Sequence, residues 1–428
     1  MRDDPLGVLE RERRPIVRLR LPLFPAYLVT EPDAIQRALT RTHREYHKGI
    51  SRRRDPAGPG IQPLARILGK GLLISDADLH RTQRRLIQPM FHRARIAEYE
   101  ATFAGLAERA VERWRDGETR DVHRDMTELT LAIIARTVFD VDLDAQVITT
   151  IRSAITQNQP AFTRLASPVG RLLDRLPLPA TRRFHKAQDE VNAMLYNLID
   201  ARRSAGARGN DVLSLLLTAR DADTGEPMPD RQDRDEAITL LLAGHETTAN
   251  ALAWALHLLA THPEAQARAR EEPAYLTAVW HEALRLYPPA WLVTRRLVAA
   301  DDVCGHRLPA GSMLLFSPWV VHRDPRWWPE PDAFRPERWL TTSDRPRYAY
   351  FPFGGGPRQC IGNEFADLEG RTVLATILRR WRVDPAPGAP PVRPLPLVTL
   401  RPRQGVTLTT SRRTAPNRRQ GRAPPSVP

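Results

Sequence analysis

Ten residues near the C-terminal end, Phe353-Gly-Gly-Gly-Pro-Arg-Gln-Cys-Ile-Gly362, constrain this chain more than its length does. Three consecutive glycines free the backbone for positive φ and for close approach to something flat and bulky. Cys360 stands alone just before a predicted helix, whose unpaired amides and dipole would stabilise a thiolate and lower the thiol pKa. Arg358, two residues earlier, offers a planar fork suited to a carboxylate. Taken by itself, a lone cysteine here also reads as an inert buried residue, and its partners elsewhere in the chain decide between the two.

Four other segments carry chemistry. Glu282-Ala-Leu-Arg285 places an acid and an arginine on one helix face, where they hydrogen-bond into a core or merely pair at the surface. Pro336-Glu-Arg-Trp339 follows it, between this pair and the cysteine. Ala243-Gly-His-Glu-Thr-Thr248 interrupts an otherwise apolar helix with a glycine and an acid–alcohol pair. A local rule is broken there, which is where function is expected, although a harmless kink reads the same way. The threonine hydroxyl can bond a carbonyl one turn back and open the helix. His245 reads as structural. Finally, His80-Arg-Thr-Gln-Arg84 opens a helix with two cations one turn apart.

The decapeptide resembles the haem-binding signature of the cytochrome P450 family, Phe-x-x-Gly-x-Arg-x-Cys-x-Gly, at Phe353, Gly356, Arg358, Cys360 and Gly362. The resemblance implies haem b, with Cys360 as the axial iron ligand, whose electron donation favours oxygen–oxygen cleavage. Glu282, Arg285 and Arg338 are similar to the family's structural Glu–Arg–Arg network. Glu246 and Thr247 are similar to its proton-relay pair for oxygen activation. His80 and Arg84 take the place of a Trp-x-x-x-Arg pair that meets the haem propionates, with His80 replacing tryptophan. Another propionate arginine lies in Thr294-Arg-Arg296; Arg296 fits the spacing to Gly305 better than Arg295, and both stay open. The four motifs fall in order across about residues 6–408.

The implied fold is the mainly α cytochrome P450 fold with a small β region, one domain over 1–410. Short strands are expected within 14–30, a helix over 31–39, helices throughout 76–221 with breaks at Pro160, Pro168 and Pro177–Pro179, a long apolar helix over 234–261, and a last helix over 362–381. Residues 411–428, with five arginines and no acids, read as a disordered tail, so the folded body carries about +9 of the net charge of +14. That surplus reads as a solvated surface, or as a basic docking face near Arg93, Arg379, Arg380 and Arg382. No basic helix, zinc spacing or interleaved aromatic motif points to nucleic acid. No run approaches the ~18 apolar residues of a membrane span. Eight charges in the first fourteen residues exclude a secretory signal, so a cytoplasmic location is expected. Two cysteines, Cys304 and Cys360, make no disulfide framework.

The implied reaction inserts one atom of O2 into a hydrophobic substrate such as a terpenoid, fatty acid or steroid. Leu64, Leu68, Leu72, Phe162, Leu242, Trp291 and Val293 would line the pocket by resemblance. The chain has no Gly-rich dinucleotide fingerprint and no iron–sulfur cysteine cluster. Electrons would therefore come from a separate ferredoxin and its reductase, to a protein expected to be a monomer. Peroxide-driven chemistry, or a haem protein without turnover, are the rival readings. The intact Glu246–Thr247 pair argues against the first.

Overall fold

The computed structural model describes residues 5–12, 14–19, 25–41, 45–48, 62–142, 176, 178–206, 209, 211–221 and 223–413. The helices that position the site are α1 (Pro32–Thr40), α2 (Ala77–Ile87), α3 (Glu100–Glu112), α4 (Val122–Val138), α5 (Asp230–Thr261), α6 (Pro273–Leu286) and α7 (Asn363–Arg380). Helix takes 55% of the described residues, and strands are short, so the mainly α expectation holds.

Helix α5 is the axis of the molecule. From Thr248 to Ala260 nearly all its faces are buried, against α4, α6 and α7, as an all-round apolar sequence requires. Fully buried Trp254 stacks on Tyr287 with ring centroids 3.9 Å apart; truncation to alanine there would cost about 3–5 kcal/mol. The helix begins at Asp230, four residues before the apolar run. Its first turn carries Asp230 and Asp233, which suit the positive helix end but leave no apolar signal. His262-Pro263 stops it, since proline disfavours a helical predecessor.

A five-stranded sheet runs β1 (Ile16–Leu19), β2 (Ala26–Val29), β6 (Met313–Phe316), β5 (Val293–Leu297), β3 (Tyr46–His47), with β2 and β6 parallel and the other pairs antiparallel. In β5, Arg295 and Leu297 are buried while Arg296 between them is not, the alternation of a pleated strand. This parity decides which arginine enters the body.

Two expectations change. Residues 76–221 are not helical throughout: β4 (Glu118–Asp121) pairs with β8 (Thr407–Arg412), which also pairs with β7 (Trp381–Pro385). Glu-Thr-Arg-Asp shows no apolar alternation because β4 is a half-exposed edge strand. The ladder also holds Ser411 and Arg412, opposite Arg382 and Trp381, so order continues past the boundary expected at 410. The rest of the expected tail, 414–428, and the breaks at Pro160, Pro168 and Pro177 lie outside the described residues, as does Phe162. Among the described residues no helix is long and apolar enough to cross a membrane.

Candidate active site

The Glu282–Arg285 pair faces inward from α6 with both side chains fully buried. Arg285 donates to both Glu282 oxygens at 2.8 Å, and spends its remaining donors on the carbonyls of His322, Pro331 and Ala333. Arg338 adds a bond to Glu282 at 3.0 Å, as the sequence suggested. Trp339 Nε1, at 2.8 Å, and the Arg335 amide, at 3.0 Å, complete the shell and were not foreseen. A buried carboxylate is tolerable because every lone pair is used.

The cysteine loop follows. Gly354 and Gly356 take φ of +69° and +65°, and the Cys360 amide donates to the Phe353 carbonyl at 2.9 Å. The positive φ expected of the glycines is present at two of the three, and two of them also pack closely on the protein. A Cβ on Gly356 would lie 2.1 Å from the Leu39 carbonyl of α1, and one on Gly355 would lie 2.5 Å from the Tyr348 ring. These two approach the protein itself. Arg84 of α2 braces the loop by donating to the Gln359 carbonyl at 2.7 Å.

Cys360 keeps exposed surface. Burial nevertheless dominates its acidity and pushes the thiol up, against the Gly362 amide and the charge of Arg84. The helix-end amide and the arginine act on the thiol in the expected lowering sense, against burial. Helix α5 opens likewise. Between buried Leu241 and buried Thr248 it exposes Ala243 and half-exposes Leu242, Glu246 and Thr247. Thr247 Oγ1 donates to the Ala243 carbonyl at 2.8 Å, one turn back, as expected. Glu246 turns elsewhere, accepting from Thr399 at 2.8 Å. Gly244 has a packing reason, since a Cβ there would meet Ile134 of α4 at 2.5 Å. His245 is buried, its Nδ1 bonded to the Leu241 carbonyl at 2.7 Å, in keeping with a structural role.

Cations gather beside the loop. Arg358 donates to the Ser75 carbonyl and pairs with Asp76 at 3.2 Å, yet its buried Nε has no partner among the described residues. Arg295 is held down to about 9 by burial and then by Arg358. Burial, Arg358 and Arg295 push the Lys48 ammonium well below its ordinary range. Asp76 is the carboxylate that bears on all three. Arg296 is not part of this cluster. Its guanidinium reaches the turn at Gly311, approaching to 3.4 Å the position a Cβ would take there. Of the two arginines left open, Arg295 thus points into the cluster and Arg296, which the spacing favoured, points away from it. Lys48 was not foreseen, because a single lysine after a two-residue strand carries no signal. His80 is buried on α2.

These residues fit a flat, dianionic, iron-bearing ring. Among the described residues no three His, Cys, Asp or Glu side chains are placed to hold a metal ion. The Cys360 thiol, the unpaired Nε of buried Arg358 and the neighbouring cations Arg295 and Lys48 would supply what haem lacks: an axial ligand and counter-charges for two propionates.

The comparisons with known proteins agree. Residues 6–409 match the cytochrome P450 family. Cyclooctatin synthase of Streptomyces melanosporofaciens is 40% identical over 90% of this chain and 86% of its own. Pentalenene oxygenase of Streptomyces avermitilis is 34% identical over 90% and 87%. The crystal structure of a 6-coordinated cytochrome P450 from Thermus thermophilus superposes with a TM-score of 0.76 at 32% identity, over 95% of this chain and 98% of that one. The chain therefore belongs to the cytochrome P450 family of haem-thiolate monooxygenases.

Proposed function

We propose that this enzyme hydroxylates a cyclic terpenoid, with Cys360 as the axial iron ligand and with electrons from a ferredoxin and its reductase. The observation that carries the reading is the opening in α5, where Ala243 and Thr247 present a small apolar surface and a hydroxyl inside an otherwise buried helix. Bound haem supplies the oxidation, placing one atom of O2 in a C–H bond and releasing the other as water, at the cost of two electrons and two protons.

The chain's own residues do the rest. Arg295, Arg358 and Lys48, with His80 beside them, hold the propionates, while Arg84 fixes the loop that presents the thiolate. Thr247 holds water at the opening, and Glu246 exchanges protons with it when it turns from Thr399. Half-buried Leu64, Leu242, Trp291 and Val293 make the near walls apolar. Of the hydrophobic classes such walls accept, a terpenoid is favoured over a fatty acid or steroid by the pentalenene named for one relative.

The expected docking arginines need one adjustment. Arg379 and Arg380 are paired with Glu108 and Glu112 of α3 at 2.6 and 3.3 Å, and Arg382 with Asp384 at 2.8 Å. Exposed pairs of this kind are worth about 0–1 kcal/mol and can be exchanged for a partner's carboxylates. Arg93 is exposed on the surface. A monomer in the cytoplasm suits such a partner.

Titrating the ferric enzyme with cyclic terpenes, fatty acids and steroids, and following the substrate-induced Soret shift, tests the class. A reconstituted ferredoxin system should then yield a hydroxylated terpene. A shift given by fatty acids alone would remove the terpenoid reading, and turnover with peroxide but never with ferredoxin would remove the electron-transfer reading.

A further inference from the structure

Glu246 stands at the end of a hydrogen-bond chain that crosses three elements. Thr399 Oγ1 donates to Glu246 Oε1 at 2.8 Å. Asn250 Nδ2 donates to Thr399 Oγ1 at 3.1 Å, and Asn250 Oδ1 lies 2.8 Å from His123 Nε2 on α4. Asn250 sits four residues after Glu246 on α5, one turn along the same face. Both Asn250 and His123 are buried, at 1% and 8% exposure, and Thr399 is buried at 8%.

The chemistry of the four groups leaves a single hydrogen arrangement. An ionised carboxylate only accepts, so the Thr399 hydroxyl must give its one hydrogen to Glu246. The hydroxyl oxygen is then left to accept from the Asn250 amide nitrogen. That turns the amide oxygen to His123, whose Nε2 must carry a hydrogen. Every donor points toward Glu246, and chained bonds polarise one another in the same sense.

We infer that His123, Asn250 and Thr399 are positioning residues that hold Glu246 turned from the α5 opening until a proton is required. The inference rests on the relay proposed above for Glu246 and Thr247, and adds what sets the acid's resting place. The chain is not a pH switch, because Nε2 keeps its hydrogen whether the ring is neutral or charged. Burial lowers the His123 pKa first, and Arg401 lowers it further against Asp121 and Glu246. His245 also faces Glu246, from α5 itself, where burial keeps its ring neutral. A hydroxyl that can donate in one direction only is worth more to the carboxylate than one free to rotate.

The test uses the ferric holoenzyme and two readouts. Infrared difference spectra locate the Glu246 carboxylate stretch as the band lost in Glu246→Gln. With pentalenene as probe, product formed per electron pair measures coupling. Thr399→Val should move the band and lower product yield several-fold, Asn250→Leu should do both to a smaller extent, and Thr399→Ser should restore both. Haem content should stay the same throughout. An unmoved band in Thr399→Val overturns the inference whatever the turnover. Unchanged yield in Thr399→Val, where Glu246→Gln loses product, overturns the positioning role and leaves the relay standing. Unchanged yield in Glu246→Gln overturns the relay and this role with it.

Discussion

His322 joins the Glu282–Arg285 pair to the cysteine loop through Phe351: its Nε2 accepts the Phe351 amide at 2.9 Å, while its Nδ1 reaches the Arg285 carbonyl at 3.3 Å. Burial, then Arg285, holds the ring neutral, far below its ordinary range. The tautomer is fixed in consequence, with the hydrogen on Nδ1. A rigid path therefore runs from Glu282 on α6, through Arg285 and His322, to the start of the segment that ends in Cys360. The Glu–Arg–Arg network is thereby tied to the segment that carries Cys360.

Removing Glu282 leaves buried Arg285 and partly buried Arg338 without their counter-charge and Trp339 Nε1 without its acceptor. Glu282→Ala should cost about 3–5 kcal/mol and yield aggregated or haem-free protein on expression. Soluble, fully haem-loaded protein that is merely slower in turnover would show that the network serves catalysis instead.

The parity of β5 makes its two arginines separable. Arg295→Gln should speed haem transfer to apomyoglobin roughly tenfold, since a charge-assisted hydrogen bond is worth about 1.5–3 kcal/mol. Arg296→Gln should leave the rate nearly unchanged. Equal effects would mean that both side chains reach the propionates.

Which parts were legible in the sequence follows from how each signal arises. Motifs confined to one segment could be read directly. Glu282 and Arg285 share a turn of helix, and Thr247 finds its acceptor at Ala243 within the same helix. The long apolar run of α5 likewise announces a buried helix. What depends on strand parity or on distant partners could not be read. Arg295 and Arg296 are adjacent, and only the pairing of β5 with β6 shows which one points inward. Lys48, Trp339, His322 and Thr399 are joined to their partners across tens to hundreds of residues, and none has a local signature. Burial, a tertiary property, also bears on the Cys360 thiol and could not be read from the loop.

Thr247 and Thr248 provide a matched pair. Thr248 is buried and bonded to the Gly244 carbonyl at 3.3 Å, whereas Thr247 lies at the opening. Thr247→Ala should consume reducing equivalents at a near-normal rate and divert most of them to hydrogen peroxide. Thr248→Ala should change coupling less. Measuring product and peroxide per electron pair decides it, and intact coupling in Thr247→Ala would favour a peroxide-driven enzyme.

Glu236 on α5 predicts a dependence of stability on pH. Its carboxylate accepts from the Leu72 amide at 2.9 Å and from Gln232 at 2.7 Å, but burial pushes its pKa up to about 7 from 4.5. The folded state then holds a proton that the unfolded chain gives up. Stability from this group is complete below about pH 4.5 and falls as pH rises to about 7. Glu236→Gln keeps an acceptor for Leu72 and cannot ionise. Above pH 7 it should gain on the natural enzyme by up to about 3 kcal/mol relative to their difference at pH 4.5, read from melting temperatures across that range. Parallel curves for the two proteins would place the Glu236 pKa in the ordinary range.

The central claim is that Cys360, as a thiolate, is the iron's protein ligand. The reduced, carbon-monoxide-bound enzyme should show the strongly red-shifted Soret band that thiolate ligation gives. Cys304→Ser should keep that band, since Cys304 lies half-buried at a turn beside the five-stranded sheet, with its sulfur 3.9 Å from the Pro15 carbonyl. Cys360→Ser should lose it, whether or not haem remains bound. Persistence of the band in Cys360→Ser would contradict the assignment and, with it, the account of the site.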